Sequence, residues 1–330
     1  MLKFGIIGTN WITDDFIDAA KRNEDIALTA VYSRTEDKGR AFADKHGIPN
    51  VYTDLERFAA AGEFDAVYIA TPNATHADQA ILFLGKGKHV LCEKPLASNA
   101  REARRMIEAA MAGGVLLMEA MKSTFTPTFR AVRDNLHKIG TVRRYFGSYC
   151  QYSSRYDLYK RGELPNAFNP ALSNGSLMDL GVYCLYPLVV LFGAPERIQA
   201  SAFKLASGAD GAGSLLLGYE GMDAVVHYSK IVDSYSSAEI QGENGTIVFD
   251  KISRPDQAHI RYRDGSVEEL TQPQEDNAMY YEVREFADLI ASGKLESDVN
   301  SYDNSLQVME LMDEARRQTG LVYPADKDEE

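Results

Sequence analysis

Short apolar runs alternate with amphipathic stretches over the first 120 residues of the chain. The pattern predicts strands at positions 3–7, 26–32, 66–70, 88–92 and 115–118. It predicts helices between them, near positions 12–21, 35–46, 75–85 and 99–112. Strands that are apolar on both faces and alternate with helices are typical of a parallel sheet covered on both sides. With right-handed crossovers, residues 1–121 are therefore predicted to form a doubly wound, nucleotide-binding Rossmann domain.

The pattern changes near residue 122, where segments rich in β-branched and aromatic residues begin. They predict strands at positions 142–152, 197–205, 214–219, 222–231, 237–242, 246–250 and 259–263. The dipeptides Asn244-Gly245 and Asp264-Gly265 are typical of hairpin turns. Residues 122–330 are thus predicted to form a second α/β domain with a large, mostly antiparallel sheet. Helices are predicted at 276–291 and 302–319, the latter with the option of packing back on the first domain, and the charged tail 326–330 is expected to fray.

Composition and charge exclude several classes of protein. A length of 330 residues favours two domains. A net charge of −13 without a basic stripe argues against nucleic-acid binding. The longest apolar stretch, 183–194, is about a dozen residues and is too short to span a bilayer. Three widely spaced cysteines, and a strand that begins at the N-terminus without room for a signal peptide, predict a cytoplasmic protein. The six histidines lack metal-ligand spacing, so no metal site is predicted.

The first strand is followed by a candidate dinucleotide-binding turn. Gly8, Asn10 and Thr13 take the three positions of a GxGxxG/A fingerprint, and two of the three depart from it. Asn tolerates positive φ, but its side chain is expected to crowd the approach of a pyrophosphate. The fingerprint alone is weak, and its place between a strand and a helix supports it. The residues expected to contact the cofactor here are Gly8, Thr9, Asn10, Trp11 and Ile12.

The second strand ends at Ser33-Arg34. NAD-selective sites usually place an acidic residue at this position, whereas NADP sites offer arginine. A hydroxyl and a guanidinium suit a 2′-phosphate through charge-assisted hydrogen bonds. NADP is therefore the favoured cofactor, with NAD as an option, and the alternative is an exposed arginine that opens a helix.

Polar residues also follow the third predicted strand, at the same sheet edge. Pro72 stops the strand, and Thr71, Asn73 and His76 accompany it into the next helix. All four are candidates for cofactor binding. His76 as a catalytic base is the less favoured option, because a histidine in the first turn of a helix faces the positive end of the dipole. A neutral packing role is favoured.

A lysine ends the next strand, in the tripeptide Glu93-Lys94-Pro95. Pro95 forbids extension of the strand because it lacks a backbone donor. Ligands of open α/β sheets bind outside the carboxyl ends of the strands, so Lys94 is a candidate proton donor and, with Glu93, a candidate cofactor contact. A solvated loop lysine is the alternative.

A second constellation lies on a helix predicted from Leu177 to about Phe192, with an interruption near Pro187. Asp179 and Tyr183 are four residues apart on it and are predicted to share an apolar face. A carboxylate and a phenol in such a setting need partners. If Lys94 faces them, the three form a proton-transfer set. The alternatives are an Asp cap and a buried Tyr hydroxyl bonded to backbone.

These motifs together carry a resemblance to a known family. Gly8-Thr9, Thr71-Pro72-Asn73, Glu93-Lys94-Pro95, Glu119-Ala120-Met121-Lys122 and Gly175…Asp179-x-Gly181-x-Tyr183 recur in this order and spacing. The chain resembles the glucose–fructose oxidoreductase / inositol dehydrogenase / rhizopine-catabolism (Gfo/Idh/MocA) family over residues 1 to about 320. Tyr183 and the Ser33-Arg34 tip favour the branch of glucose–fructose oxidoreductase and dihydrodiol dehydrogenase. Asn10, and Ser173-Asn174 in place of Gly-Gly, depart from the family pattern.

The resemblance implies both a mechanism and an assembly. Lys94 would be the catalytic lysine, in a peptide bond with Pro95 that is often cis, while Asp179 would orient substrate and Lys94, and Tyr183 would complete the set. The open sheet of the C-terminal domain would build a homodimer or homotetramer. The expected activity is NAD(P)-dependent hydride transfer at a CH–OH or C=O group of a sugar, polyol or cyclic diol. A non-catalytic dinucleotide sensor, and an internal redox cycle for elimination or glycoside cleavage, are the alternatives.

Overall fold

The chain folds into two compact units that each combine separate parts of the sequence. The computed structural model describes residues 1–327, so residues 328–330 of the charged tail lie outside the described residues. Unit 1 contains residues 1–120 and 275–302, and unit 2 contains residues 121–274 and the chain from 303 onward.

Unit 1 is built on a parallel sheet of six strands. The strands are β1 (Leu2–Ile7), β2 (Ile26–Tyr32), β3 (Asn50–Tyr52), β4 (Ala66–Ile69), β5 (His89–Glu93) and β6 (Leu117–Ala120). Their order in the sheet is β3-β2-β1-β4-β5-β6. This is the strand order of dinucleotide-binding folds, in which the order of strands along the sheet reverses between β1 and β4. The predicted Rossmann fold is therefore confirmed, with β3 as a strand that the sequence did not predict.

Five helices connect the strands of this sheet, and their ends follow local sequence signals. They are α1 (Trp11–Lys21), α2 (Glu36–His46), α3 (Leu55–Ala59), α4 (His76–Gly85) and α5 (Ala100–Gly113). Gly47 and Gly114 end α2 and α5 in the left-handed conformation that glycine adopts without strain. The Asn99 side chain accepts from the Glu102 backbone N–H at 2.9 Å and caps α5. These caps fix where α5 begins and where α2 and α5 end.

Unit 2 is built on an eight-stranded sheet. Its helices are α6 (Pro127–Asp134), α7 (Ser154–Lys160) and α8 (Val182–Phe192). Its strands are β7 (Val142–Cys150), β8 (Arg197–Lys204), β9 (Asp210–Tyr219), β10 (Met222–Ser229), β11 (Ala238–Gly242), β12 (Gly245–Phe249), β13 (Ala258–Tyr262) and β14 (Val267–Glu269). The order is β14-β13-β12-β11-β7-β10-β9-β8, and only β7 and β10 pair in parallel. The mostly antiparallel sheet agrees with the prediction from the sequence, but the sequence did not predict strand β14.

The apolar helix of unit 2 differs in detail from the prediction. A π-helical segment, Leu177–Gly181, precedes α8, and α8 runs through Pro187 without ending. The irregularity therefore lies about two turns before the predicted interruption, at a π turn that inserts one residue into the hydrogen-bond ladder. Residues 170–192 are long and apolar enough to cross a membrane by composition, but 78% of the most apolar window is buried inside the unit. This segment is a core helix.

The last two helices are divided between the units. In unit 1, α9 (Met279–Ala291) packs on α1, and Phe286 lies 5.6 Å from Phe4 between ring centroids. Nearly all of α10 (Tyr302–Thr319) lies in unit 2. The hydroxyl of Ser305 on this helix forms a 2.8 Å hydrogen bond with the Tyr186 hydroxyl. The sequence-based division at 121/122 assigned α9 to the second domain. Buried apolar residues on α9 explain its place in the first unit, since they continue the core under β1.

Candidate active site

The turn after β1 depends on glycine. Gly8 has φ of +109°, and a Cβ added there would lie 2.4 Å from the Ala70 carbonyl oxygen. Any side chain would therefore clash with the end of β4 and strain the backbone. The tight strand-to-helix turn that a dinucleotide requires is present, and α1 begins directly after it with its N-terminus at the sheet edge.

Asn10 has a different role from the one expected. Its side-chain oxygen accepts from the backbone N–H groups of Ile12 at 3.0 Å and Thr13 at 3.3 Å, so it caps α1. Its amide nitrogen donates to the Ala70 carbonyl at 2.8 Å. The side chain is thereby turned into the protein, which explains how asparagine replaces the second glycine of the fingerprint.

The tip of β2 places one residue inside the unit and the other in solvent. Ser33 is 8% exposed and lies under α2, where a Cβ on Gly39 would approach its Cβ at 3.2 Å. Arg34 is exposed, and within residues 1–327 its side chain has no ion pair. The guanidinium is therefore accessible to an anionic ligand, whereas the Ser33 side chain is buried.

His76 joins the ends of two strands through its ring. Nδ1 lies 3.0 Å from the Pro95 carbonyl oxygen, and Nε2 lies 2.9 Å from the Thr71 carbonyl oxygen. Burial lowers the pKa of His76 below its usual value, with the Thr71 carbonyl acting in the opposite direction. These contacts fit the favoured packing role and hold the segments that follow β4 and β5 together.

The other residues after β4 bond mainly to each other. The Thr71 hydroxyl donates to Gln79 at 2.7 Å and accepts from the Thr75 hydroxyl at 2.9 Å. Asn73 is 9% exposed in a short 3-10 turn that Pro72 precedes. This segment is thus preorganised at the sheet edge next to Gly8.

Lys94 stands on a junction that several contacts fix. Glu93, the last residue of β5, is 7% exposed and accepts from the Tyr68 hydroxyl at 2.6 Å. The Lys94-Pro95 peptide is cis, and the Leu96 N–H donates to the buried Glu119 carboxylate at 3.0 Å. Lys94 itself is half-buried. A lysine at a rigid strand end has the placement that a proton donor needs.

In unit 2, Asp179 lies in the π-helical segment and pairs with a buried lysine. Lys230 Nζ lies 2.6 Å from Asp179 Oδ2, and Lys230 is 3% exposed. The Asp179 N–H donates to the Gly175 carbonyl at 3.2 Å. The Asp179 carboxylate is therefore held by an ion pair, and the sequence did not predict Lys230 as its partner.

The start of the π-helical segment is held by a second buried carboxylate. Asp210 Oδ1 accepts from the Ser176 N–H at 3.1 Å, and Oδ2 accepts from the Leu177 N–H at 2.6 Å. A Cβ on Gly175 would lie 2.0 Å from Asp210 Oδ1. Burial raises the pKa of Asp210, and the backbone N–H groups oppose that rise. The requirement for Gly175 follows from this close approach.

Tyr183 lies in the first turn of α8 and is 8% exposed. Its ring meets Tyr149 of β7 edge to face, with centroids 5.6 Å apart. Nearby in sequence, the aromatic residues of α7 pack on one another: Tyr156 and Tyr159 stack, and both contact Phe168. These aromatic residues of α7 therefore pack within unit 2.

Each unit thus gathers its own part of the predicted site. Gly8, Arg34, Thr71 and Lys94 follow β1, β2, β4 and β5 at the carboxyl edge of one sheet. In the other unit, Asp179 and Tyr183 lie on consecutive turns of one helical stretch. Within residues 1–327, no group of three His, Cys, Asp or Glu side chains is placed to bind a metal ion.

Comparison with known proteins identifies the family. Residues 2–121 match the model of an oxidoreductase family with an NAD-binding Rossmann fold, and residues 129–248 match the Gfo/Idh/MocA C-terminal domain. The chain belongs to the Gfo/Idh/MocA oxidoreductase family. The resemblance, the fold class and the enzyme class predicted from the sequence are confirmed, as is the nicotinamide dinucleotide cofactor.

Individual relatives extend over the whole chain. The scyllo-inositol 2-dehydrogenase (NADP(+)) IolU of Bacillus subtilis (strain 168) is 57% identical and covers 99% of this chain and 100% of its own. The trans-1,2-dihydrobenzene-1,2-diol dehydrogenase of Mus musculus is 31% identical, with 99% of both chains covered. A solved 3-ketoreductase from Actinomadura kijaniata, in complex with TDP-benzene and NADP, superposes with a TM-score of 0.83 at 25% identity, covering 96% of this chain and 98% of its own.

Proposed function

We propose that the protein is an NADP-dependent dehydrogenase that interconverts a ring CH–OH group and a ketone on a cyclic polyol of the inositol class. The observation that carries the proposal is the position of Lys94, between two residues held by buried hydrogen bonds, at the sheet edge that holds the dinucleotide turn. The 57% identity to a scyllo-inositol dehydrogenase over the full chain supports the substrate class. The dihydrodiol dehydrogenases among the relatives make a cyclic diol the second candidate substrate.

The residues of the chain fit the cofactor and would hold it in defined places. The glycine turn at Gly8 and the N-terminus of α1 would receive the pyrophosphate, and Arg34 would bind the 2′-phosphate. When bound, the nicotinamide accepts or donates the hydride. Thr9, Trp11, Thr71 and Asn73 border this edge and are proposed as further contacts.

The proton of the substrate hydroxyl is assigned to side chains of the protein. Lys94 removes it during oxidation and returns it during reduction, with Tyr183 as the second member of the set. Asp179, which pairs with Lys230, is proposed to orient the substrate hydroxyl. Tyr183 is 8% exposed and Lys94 is half-buried, so both side chains are partly shielded from bulk water. This shielding favours proton exchange with the substrate over exchange with solvent.

Substitution of Lys94 tests the mechanism. Lys94→Met should lower kcat by roughly 10²–10⁴-fold, the usual contribution of a general acid or base, with little change in NADPH binding. Lys86→Met is the matched control, since Lys86 is exposed and precedes β5 at the opposite end of the strand. Full activity of Lys94→Met on scyllo-inositol and cyclic diols would contradict the assignment. NADPH fluorescence measures binding, and absorbance at the reduced nicotinamide band measures turnover.

The same assay separates the alternative functions. A dehydrogenase forms NADPH in proportion to product, whereas an internal redox cycle leaves no net NADPH. A non-catalytic sensor would bind NADPH and show no turnover in either direction with any polyol, sugar or diol. Net NADPH formation from one of these substrates supports the dehydrogenase.

Cofactor choice is tested at Arg34. Arg34→Asp should reverse the ratio of kcat/KM for NADP to that for NAD, since it replaces the cation with the acidic residue typical of NAD sites. Arg57→Asp, an equally exposed site on α3 of the same unit, should leave the ratio unchanged. An unchanged ratio in Arg34→Asp would refute the argument from the tip of β2.

We further propose that the protein is a cytoplasmic homodimer or homotetramer that assembles through the sheet of unit 2. Two large apolar side chains are exposed on one face of that sheet, Phe203 at 60% and Leu216 at 47%, on neighbouring strands. Covering them with a second copy of the sheet would remove apolar area from water. Light scattering should show a monomer for Phe203→Asp, and an unchanged mass in that variant would refute this interface.

A further inference from the structure

Lys230 is a buried cation that the proposed mechanism does not use. It follows β10 directly and is 3% exposed. Its Nζ donates to Asp179 Oδ2 at 2.6 Å and to the Ala167 carbonyl at 3.3 Å, and it lies 5.4 Å from the centroid of the Phe168 ring. Its backbone N–H donates to the Gly211 carbonyl at 2.9 Å. Both ends of the side chain are therefore fixed.

The burial of Lys230 is unusual, because lysine is almost never fully buried unless it is paired. Ordering its long side chain costs conformational entropy, and removing the ammonium from water costs solvation free energy. An apolar residue in contact with Phe168 would avoid both costs. The ion pair to Asp179 is what an apolar residue would not provide.

We propose that Lys230 is a positioning residue for the reaction, which holds the carboxylate of Asp179 in one orientation through their ion pair. This inference rests on the proposed function, in which Asp179 orients the substrate hydroxyl. With one oxygen bonded to an ammonium, Asp179 acts as an anionic acceptor and leaves proton transfer to Lys94 and Tyr183.

The surroundings of Lys230 support a link between the helix start and Asp179. Burial raises the pKa of Asp210, and among the groups that lower it is the positive charge of Lys230. Asp210 accepts from the N–H groups of Ser176 and Leu177, three and two residues before Asp179. One ammonium therefore acts on two carboxylates that fix the same segment, Ser176–Asp179.

A double-mutant cycle with Lys230→Met and Asp179→Asn tests the proposal. Lys230→Met should lower kcat/KM for the polyol by roughly 10- to 100-fold, within the range of coupling between residues in contact. NADPH affinity should stay within about twofold, because Lys230 and the dinucleotide turn lie in different units. In the Asp179→Asn background the same lysine substitution should cost less than about twofold, since its target is already lost. Lys230→Arg, which keeps the charge, should restore part of the activity.

Lys138→Met is the matched control. Lys138 is also ion-paired in unit 2, with Glu268 at 2.5 Å, but its partner lies on β14. Its loss should leave kcat/KM unchanged in both backgrounds. Near-UV circular dichroism checks that each variant keeps its fold, and if Lys230→Met does not fold, the cycle is run with Lys230→Gln.

The outcomes distinguish the two levels of the argument. Full activity of Asp179→Asn would overturn the proposed role of Asp179 and with it this inference. Impaired Asp179→Asn with fully active Lys230→Met would overturn only the inference. Additive losses in the double variant would show that Lys230 acts on stability or on another group, and would also overturn it.

Discussion

Removal of the Asp210 carboxylate should loosen the segment that carries Asp179. In Asp210→Ala, the backbone N–H groups of Ser176 and Leu177 lose their acceptors, and both residues are 0% exposed. Water has no direct access to these donors, so the cost is the desolvation penalty of unpaired groups. The expected effect is therefore on both stability and the geometry of the site.

The magnitude follows from the number of bonds. Each buried donor left unpaired costs about 1–3 kcal/mol, so two donors give about 2–6 kcal/mol of unfolding free energy. Relief of the buried charge offsets part of this loss, because burial raises the pKa of Asp210 and so disfavours its ionised form. A net loss of about 2–4 kcal/mol is expected.

Urea unfolding followed by near-UV circular dichroism measures the loss, and polyol turnover measures the effect on the site. Asp223→Asn is the control, since Asp223 lies on a strand of the same sheet and forms an exposed ion pair with Arg144 at 2.6 Å. Its loss should cost less than about 1 kcal/mol. If Asp210→Ala were as stable and as active as the control, the proposed role of this cap would be refuted.

Two further predictions concern unit 1. Asn10→Ala should lower the unfolding free energy by about 0.5–2 kcal/mol through loss of the cap on Ile12 and Thr13, whereas Asn10→Gly should cost a few tenths, and equal losses would refute the capping role. Burial lowers the pKa of His76 and of His89, so the unfolded chain binds more protons below about pH 6.5 and stability falls as pH drops. Unfolding measured at pH 7 and pH 5 should show a smaller fall in His76→Gln, and an identical fall would contradict this assignment.

The sequence predicts the site residues that directly follow a strand. It does not predict the residues that contact the site from a strand distant in sequence. Gly8, Arg34 and Lys94 each follow an apolar strand, so their place at one sheet edge follows from the parallel topology. Asp210 begins one strand of the second sheet and Lys230 follows another, and they lie 34 and 51 residues beyond Ser176 and Asp179, the groups they contact. No periodicity connects such pairs, because their proximity arises only from strand pairing.

The membership of α9 in unit 1 bears on how the protein can be divided. The nucleotide-binding unit is discontinuous in sequence, and Phe286 of α9 covers Phe4 of the first strand. A fragment that stops at residue 121 would expose that apolar surface and should aggregate. A separate cofactor-binding module therefore requires residues 275–302 joined to residues 1–120 by a linker that replaces residues 121–274.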